Sequence, residues 1–350
     1  MTVIPTRANP MVLTAAAIVV VIAGLKAANH IVGPVMLALA LVILFHPLRA
    51  RLERRMPTWV VSVILMIAAI ALLVVLALAV VVSMGRLAQL IPTYASDVDD
   101  LVADLGDGLT ALGVGQDQTD AMAAAVDPGR LVDLVTSVLS SVMSLLSSLF
   151  LIITLLVFLA FDSAKAGRLA AGARRHRPDL VDGLASFAQG TRSYLGVSAV
   201  FGLIVAVIDA VLLYLLGIPG AFIWGVLAFV TNFIPNIGFV IGIIPPAIIG
   251  LLEGGPGLML AVIVVYSVVN LVIQSFIQPR YVGDAVGLST SLTFLSLIFW
   301  TWVLGPVGAL LAVPMSLLAR ALLVEADPGG RWRIPLISGD PDPDEDPAVT

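Results

Sequence analysis

Two apolar runs, 221–252 and 292–323, constrain this chain more than anything else in it, because each is too long to cross a bilayer once and each is punctuated by proline and glycine. As straight helix, either run would measure about 48 Å against a hydrocarbon core of about 30 Å. The first contains Pro235, Gly238, Gly242 and Pro245, the second Gly305, Pro306, Gly308 and Pro314. Proline removes a backbone donor, so each run is expected to break near mid-depth, and lipid tolerates broken backbone only inside protein or beside a cavity. A matched pair of interrupted segments is the sequence sign of a transport site. If both runs are re-entrant hairpins instead, the joint at 279–289 moves to the other side of the membrane, and the sequence leaves that choice open.

Composition sets the solvent. With 60% hydrophobic and 12% charged residues, the chain lacks the polar surface of a soluble domain and reads as an all-α, polytopic membrane protein whose first partner is the lipid bilayer. There is no cysteine, hence no thiolate nucleophile and no Cys-based metal site. His30, His46 and His176 are scattered, without metal-ligand spacing. No carboxylate pair or nucleophile–base set falls within the spans, and no Gly-x(4)-Gly-Lys-Ser/Thr loop is present, so neither an enzyme nor an ATP-driven pump is expected, and no cofactor or nucleic-acid partner.

About eight membrane segments are expected. Residues 1–84 hold three, the first two read as a hairpin (10–29, 30–49) in competition with one long tilted helix; 138–161 is the fourth, and 194–324 forms a transmembrane core with the two broken runs. The arginines at 49, 51, 54 and 55 and the basic linker at 162–193 should face the cytoplasm, while 85–137, with nine aspartates, should face outward. Both termini are then cytoplasmic. Within 85–137, Leu87, Ile91, Tyr94, Val98, Leu101 and Leu105 keep a heptad beat, as do Leu131, Val135, Val138 and Val142, which predicts extracytoplasmic amphipathic helices pairing within one subunit or between protomers. The tail at 325–350 is acidic and proline-rich and reads as disordered.

Candidate functional residues gather at the breaks. Asn232 and Asn236 flank Pro235, while Asn270, Gln274 and Gln278 step along one helix face; such amides suit a small polar solute, or equally hold helices together. Gly238 and Gly242 have GxxxG spacing, and a half-helix beginning there would aim free N–H groups at a cavity. Gly305, Pro306 and Gly308 offer the same from the second run, and the two runs share Pro-x(1-2)-Gly-x(5-6)-Pro, a hint of repetition. The serines at 137, 140, 141, 144, 147 and 148 share one face that suits close helix packing. Asp209 is the one carboxylate well inside a predicted span, where an ionised side chain costs roughly 2.5 to 3.5 kcal/mol, so it reads as an ion-coupling group or as a protonated residue between helices. Lys26 and His30 are its candidate counter-charges.

These residues carry a resemblance. From about 196 to 323, the Gly217-Ile-Pro219 entry, the Asn232-Phe-Ile-Pro-Asn-Ile-Gly238 break with Pro245, the Gln278-Pro279-Arg-Tyr-Val-Gly283 joint and Gly305-Pro-Val-Gly308 leading to Ala312-Val-Pro314 resemble the autoinducer-2 exporter (AI-2E) family of bacterial membrane proteins, and upstream Phe45-His-Pro-Leu48 also fits. The resemblance implies a multi-pass protein of the bacterial plasma (inner) membrane, a homo-oligomer with a pentamer among the implied states, that exports small polar molecules such as those of quorum sensing; some relatives resemble sodium–proton antiporters. Two departures stand out: Gly287-Leu-Ser-Thr-Ser291 replaces an expected proline, and Asp209 stands where the family is usually uncharged. The leading expectation is a gradient-driven secondary transporter. A sodium–proton antiporter using Asp209, and a membrane scaffold recruiting partners through its outer heptads, are the alternatives.

Overall fold

The computed structural model describes residues 10–90, 136–137, 140, 143, 147, 149–235, 237–278, 287–327, 329 and 333–339. Every regular element among them is helical: α1 (Pro10–Ala27), α2 (Asn29–Leu52), α3 (Thr58–Leu90), α4 (Leu149–Arg174), α5 (Pro178–Leu215), α6 (Ala221–Thr231), α7 (Gly238–Asn270), α8 (Thr290–Leu304), α9 (Pro306–Leu310), α10 (Ala312–Arg320) and α11 (Ile334–Ser338). Wider π-helical turns continue α7 through Leu271–Ile277 and α10 through Ala321–Glu325. Four stretches are long and apolar enough to cross a membrane (29–52, 58–82, 178–215 and 238–274), or five with the bent α4, and shorter apolar helices lie at 12–27, 221–231 and 290–304. The protein is an all-α, multi-pass membrane protein. The outer heptad positions from Ile91 onward, the 279–286 joint and Asn236 lie outside the described residues.

At the α1–α2 junction Ala28 closes one helix and opens the next: it donates to the Gly24 carbonyl and accepts from the Ile31 and Val32 N–H groups, all at 2.9 Å. The first two expected segments are thus two separate helices that meet at this residue. Where the serine face is described, the exposed Ser140 and Ser147 hydroxyls donate to the Ser137 and Met143 carbonyls.

The chain divides into two units, 1–46 with 150–191 and 287–350, and 47–149 with 192–286. In the first unit, the second broken run doubles back. Gly305, at φ 68° and ψ −152°, ends α8, and Pro306 opens α9 at the first helical turn, where its missing N–H leaves nothing unpaired. Trp300 Nε1 then donates to Ser316 Oγ at 2.9 Å, a contact between residues that a straight helix would hold about 24 Å apart. Gly308 sits in the crook, where an added Cβ would fall 1.9 Å from the Trp300 carbonyl oxygen. The Lys26 ammonium lies 3.7 Å from the Trp302 ring centroid, a cation–π contact that anchors the end of α1 against α8.

Near the end of the same unit, Pro335 in the first turn and Gly339 in the left-handed region frame α11, and the Ser289 N–H donates to the Ile337 carbonyl at 2.9 Å. Ser289 caps α8 by accepting from the Leu292 N–H.

In the second unit the first broken run also doubles back. α6 is only about 16 Å long, half a hydrocarbon core, and its buried face (Trp224, Leu227, Ala228) packs on Ile243 and Ala247 of α7 beyond the turn. α7 itself reverses at Gly255 (φ 73°, ψ −168°), again followed by proline. A Cβ on Gly250 would lie 3.3 Å from Val262, whereas 12 residues of straight helix span about 18 Å. So 221–252 is not a span broken at mid-depth but one hairpin whose second arm starts another. Gly305-Pro306 has a second backbone counterpart at Gly255-Pro256, another positive-φ glycine before a proline, while Gly308 and Gly238 share one setting: a Cβ on either would fall 1.9 Å from a carbonyl oxygen of the preceding arm, at Trp300 and at Thr231. α3 closes this core through Val80, and Arg49 at the end of α2 is buried with Nε on Glu53 (2.8 Å) and Nη2 on Ser62 (3.3 Å).

Candidate functional site

The turn that leaves α6 is tied to α5 in both directions, a side chain of α5 reaching its backbone and a side chain of the turn reaching the α5 backbone. Tyr194 Oη donates to the Phe233 carbonyl at 3.0 Å, and Asn232 Nδ2 donates to the Ser198 carbonyl at 3.0 Å. Tyr194, Ser198, Gly202, Val205 and Asp209 follow the helical repeat, so they form one stripe along α5. Gly202 is the gap in that stripe, since a Cβ there would meet Asn232 Nδ2 at 2.8 Å.

Three amides join across the unit. Gln274 Nε2 donates to Asn232 Oδ1 at 3.0 Å and to Asn270 Oδ1 at 2.8 Å, while Asn270 Nδ2 returns to the Tyr266 carbonyl at 2.9 Å. Gln274 lies in the π-helical turn after α7, where the Gln278 N–H reaches back to the Ile273 carbonyl at 2.7 Å. Turns of this kind occur preferentially at functional sites. Thr231 completes the polar wall at the end of α6, donating to the Ala228 carbonyl at 3.2 Å.

These groups surround a cavity. It contains about 180 Å³ of atom-free space, in crevices too narrow for a water molecule. α5 contributes Val205 and Asp209, α6 and the turn contribute Ala228, Thr231 and Asn232, and the α7 arms contribute Phe239, Gly242, Tyr266, Asn270 and Gln274. Asp209 is 0% exposed, and both its carboxyl oxygens lack a hydrogen-bond partner among the described residues, as does Tyr266 Oη. Lys26 and His30, the counter-charges considered from sequence, are both exposed, and no cationic side chain lines the cavity among the described residues.

Of the residues singled out in the sequence, the structure brings Asn232, Gly242, Asn270, Gln274 and Asp209 to this one cavity. Gly242 is there because a side chain would press on Thr231 Oγ1, at 2.9 Å from its Cβ. Pro235 and Gly238 shape the turn without lining the space, and Asn236 is outside the described residues. Gly305, Pro306 and Gly308 form the hairpin of the other unit and do not line this cavity. Gln278 does not line it either. Sequence reasoning passed over Thr231, Phe239 and Tyr266. The signal for Tyr266 was present, since it stands four residues before Asn270 on the same face as Gln274.

Comparison with known proteins agrees with this architecture. The family model described as AI-2E family transporter matches residues 15–326. The AI-2 transport protein TqsA of Escherichia coli strain K12 is 31% identical over 325 residues, covering 92% of this chain and 93% of its own length. YhhT of the same strain is 30% identical over 336 residues, covering 95% of each chain, and a Haemophilus influenzae relative is 30% identical over 320 residues, covering 89% of this chain and 91% of its own. The folded-back runs, the multi-pass helical architecture and these similarities together make the chain a member of the AI-2E transporter family, a family of membrane transporters.

Proposed function

We propose that this protein is a gradient-driven secondary transporter that exports a small polar molecule of the autoinducer-2 type, with the Asn232–Gln274–Asn270 network as the solute-contacting part of its site. The observation that carries the reading is a half-buried amide network beside a turn in the chain. Such a network offers neutral donors and acceptors that a hydroxylated, uncharged solute would replace one for one. TqsA, by name, transports AI-2, and shares nearly the whole length of the chain. The arginines at 49–55 and in the 162–193 linker support a plasma-membrane orientation with cytoplasmic termini. Assembly into a homo-oligomer is part of the same proposal.

The test is flux of labelled autoinducer-2 in proteoliposomes. Gln274→Ala removes one interhelical hydrogen bond, to Asn232, and one along its own helix, to Asn270, together worth on the order of 1 kcal/mol, so transport should fall roughly fivefold. Unchanged flux at equal protein content would remove the network from the site.

A further inference from the structure

We infer that Asp209 is the proton carrier of this transporter: the closed cavity holds it as a neutral acid, and it ionises when the cavity opens to water. This rests on the transport reading above and names its coupling ion. The carboxyl group is fully buried and neither oxygen has a partner among the described residues. Most of the donors around it are already engaged, the Tyr266 hydroxyl excepted. Both Gln274 N–H groups go to other amides, Asn232 Nδ2 goes to Ser198, Asn270 Nδ2 to Tyr266 and the Thr231 hydroxyl to Ala228.

An ionised carboxylate at this position would therefore have no hydrogen bond, no cation and no water. Burial under those conditions expels charge, and a carboxyl group meets it by keeping its proton. From α6 and both arms of α7, the one other titratable side chain lining the space is Tyr266, whose hydroxyl is also buried without a partner. It is positioned as a neutral neighbour, not a counter-ion. A sodium ion would need room for itself among its oxygen ligands, and crevices too narrow for water do not give it. The step balances simply. On the acidic side an Asp209 carboxylate oxygen takes a proton from hydronium, forming O–H and leaving water. On the other side that bond breaks, water accepts the proton, and one proton has crossed per cycle.

Infrared spectra of the purified full-length protein in liposomes, wild type minus Asp209→Asn, test where the proton resides. At neutral pH the difference should contain the C=O stretch of a neutral carboxylic acid; carboxylate bands in its place overturn the proposal. Should Asp209→Asn fail to fold, wild type carrying isotope-labelled aspartate gives the same reading, with a label-shifted neutral-acid band expected and its absence decisive against. Flux of labelled autoinducer-2 tests the coupling. Accumulation driven by a pH gradient should drop in Asp209→Asn to the level of empty liposomes. Undiminished acid-driven accumulation in that variant, or accumulation driven by sodium at uniform pH, overturns it. A wild type that moves no autoinducer-2 would fault the transport reading, whereas the infrared difference would still decide whether Asp209 keeps its proton.

Discussion

Gly308→Ala and Gly238→Ala should each remove most of the folded protein, although each adds one methyl group. In the structure a Cβ at Gly308 would lie 1.9 Å from the Trp300 carbonyl oxygen, and one at Gly238 would lie 1.9 Å from the Thr231 carbonyl oxygen. Even close C–H···O contacts keep carbon and oxygen about 3.3 Å apart, so the arms of each hairpin would have to separate by more than an ångström. The obstruction is backbone, which has no alternative rotamer. Overpacking of this kind costs about 3 kcal/mol and at times more, and here it acts on the contact that holds a hairpin closed. Gly196→Ala is the internal control: nothing lies within 4 Å of its Cβ, so alanine in the middle of α5 should be neutral or stabilising by about 0.5 kcal/mol or more. Size-exclusion profiles in detergent and thermal aggregation midpoints check all three. Monodisperse Gly308→Ala with an unchanged midpoint would show that the hairpin is not closed as described.

Arg320→Ala should be nearly as damaging, for an electrostatic reason. Arg320 Nε donates to Glu325 Oε1 at 2.6 Å and Nη1 donates to the Gly287 carbonyl at 2.6 Å, with the two side chains only 16% and 12% exposed. Residues five apart do not face each other on an α-helix, but in the π-helical turn Ala321–Glu325 the i to i+5 spacing returns to the same side, so the local backbone makes the pair. Removing the arginine leaves a mostly buried carboxylate and a carbonyl without their donor, a loss of about 3 to 5 kcal/mol. Glu325→Leu together with Arg320→Met should recover much of the stability, because two apolar groups leave no charge behind. The unfolding midpoints of the single and double variants measure this directly. A single variant as stable as wild type would mean that the pair contributes nothing.

The comparison of sequence with structure is clearest in the two apolar runs. Length against bilayer thickness showed that neither 221–252 nor 292–323 could be one plain helix, and the proline and glycine positions marked where they would give way. The direction taken after the break was not legible. Whether a helix kinks and continues or reverses depends on what its second arm packs against, and the Trp300–Ser316 and Gly250–Val262 contacts join residues that no local propensity relates. The shared Pro-Gly-Pro spacing did mark equivalent glycines, since Gly238 and Gly308 each press on a carbonyl of the preceding arm, but it gave no sign that Gly255-Pro256 would reverse the chain as Gly305-Pro306 does.

The site divides along similar lines. A lone carboxylate and a row of amides in apolar helices are conspicuous in any reading, because each needs a partner that lipid does not provide, and so the residue types at Asp209, Asn232, Asn270 and Gln274 were fixed by sequence alone. Their convergence was a tertiary matter. Asn232 meets Gln274 across 42 positions of chain, and Asp209 reaches the same cavity from a third helix, because α6 and α7 fold back against α5. The membrane character of the protein follows from one-dimensional information, hydrophobicity per residue, which the bilayer reads segment by segment. Which polar groups share a cavity follows from packing between segments, and that is decided only when glycines such as Gly202 and Gly242 let the helices approach closely enough to touch.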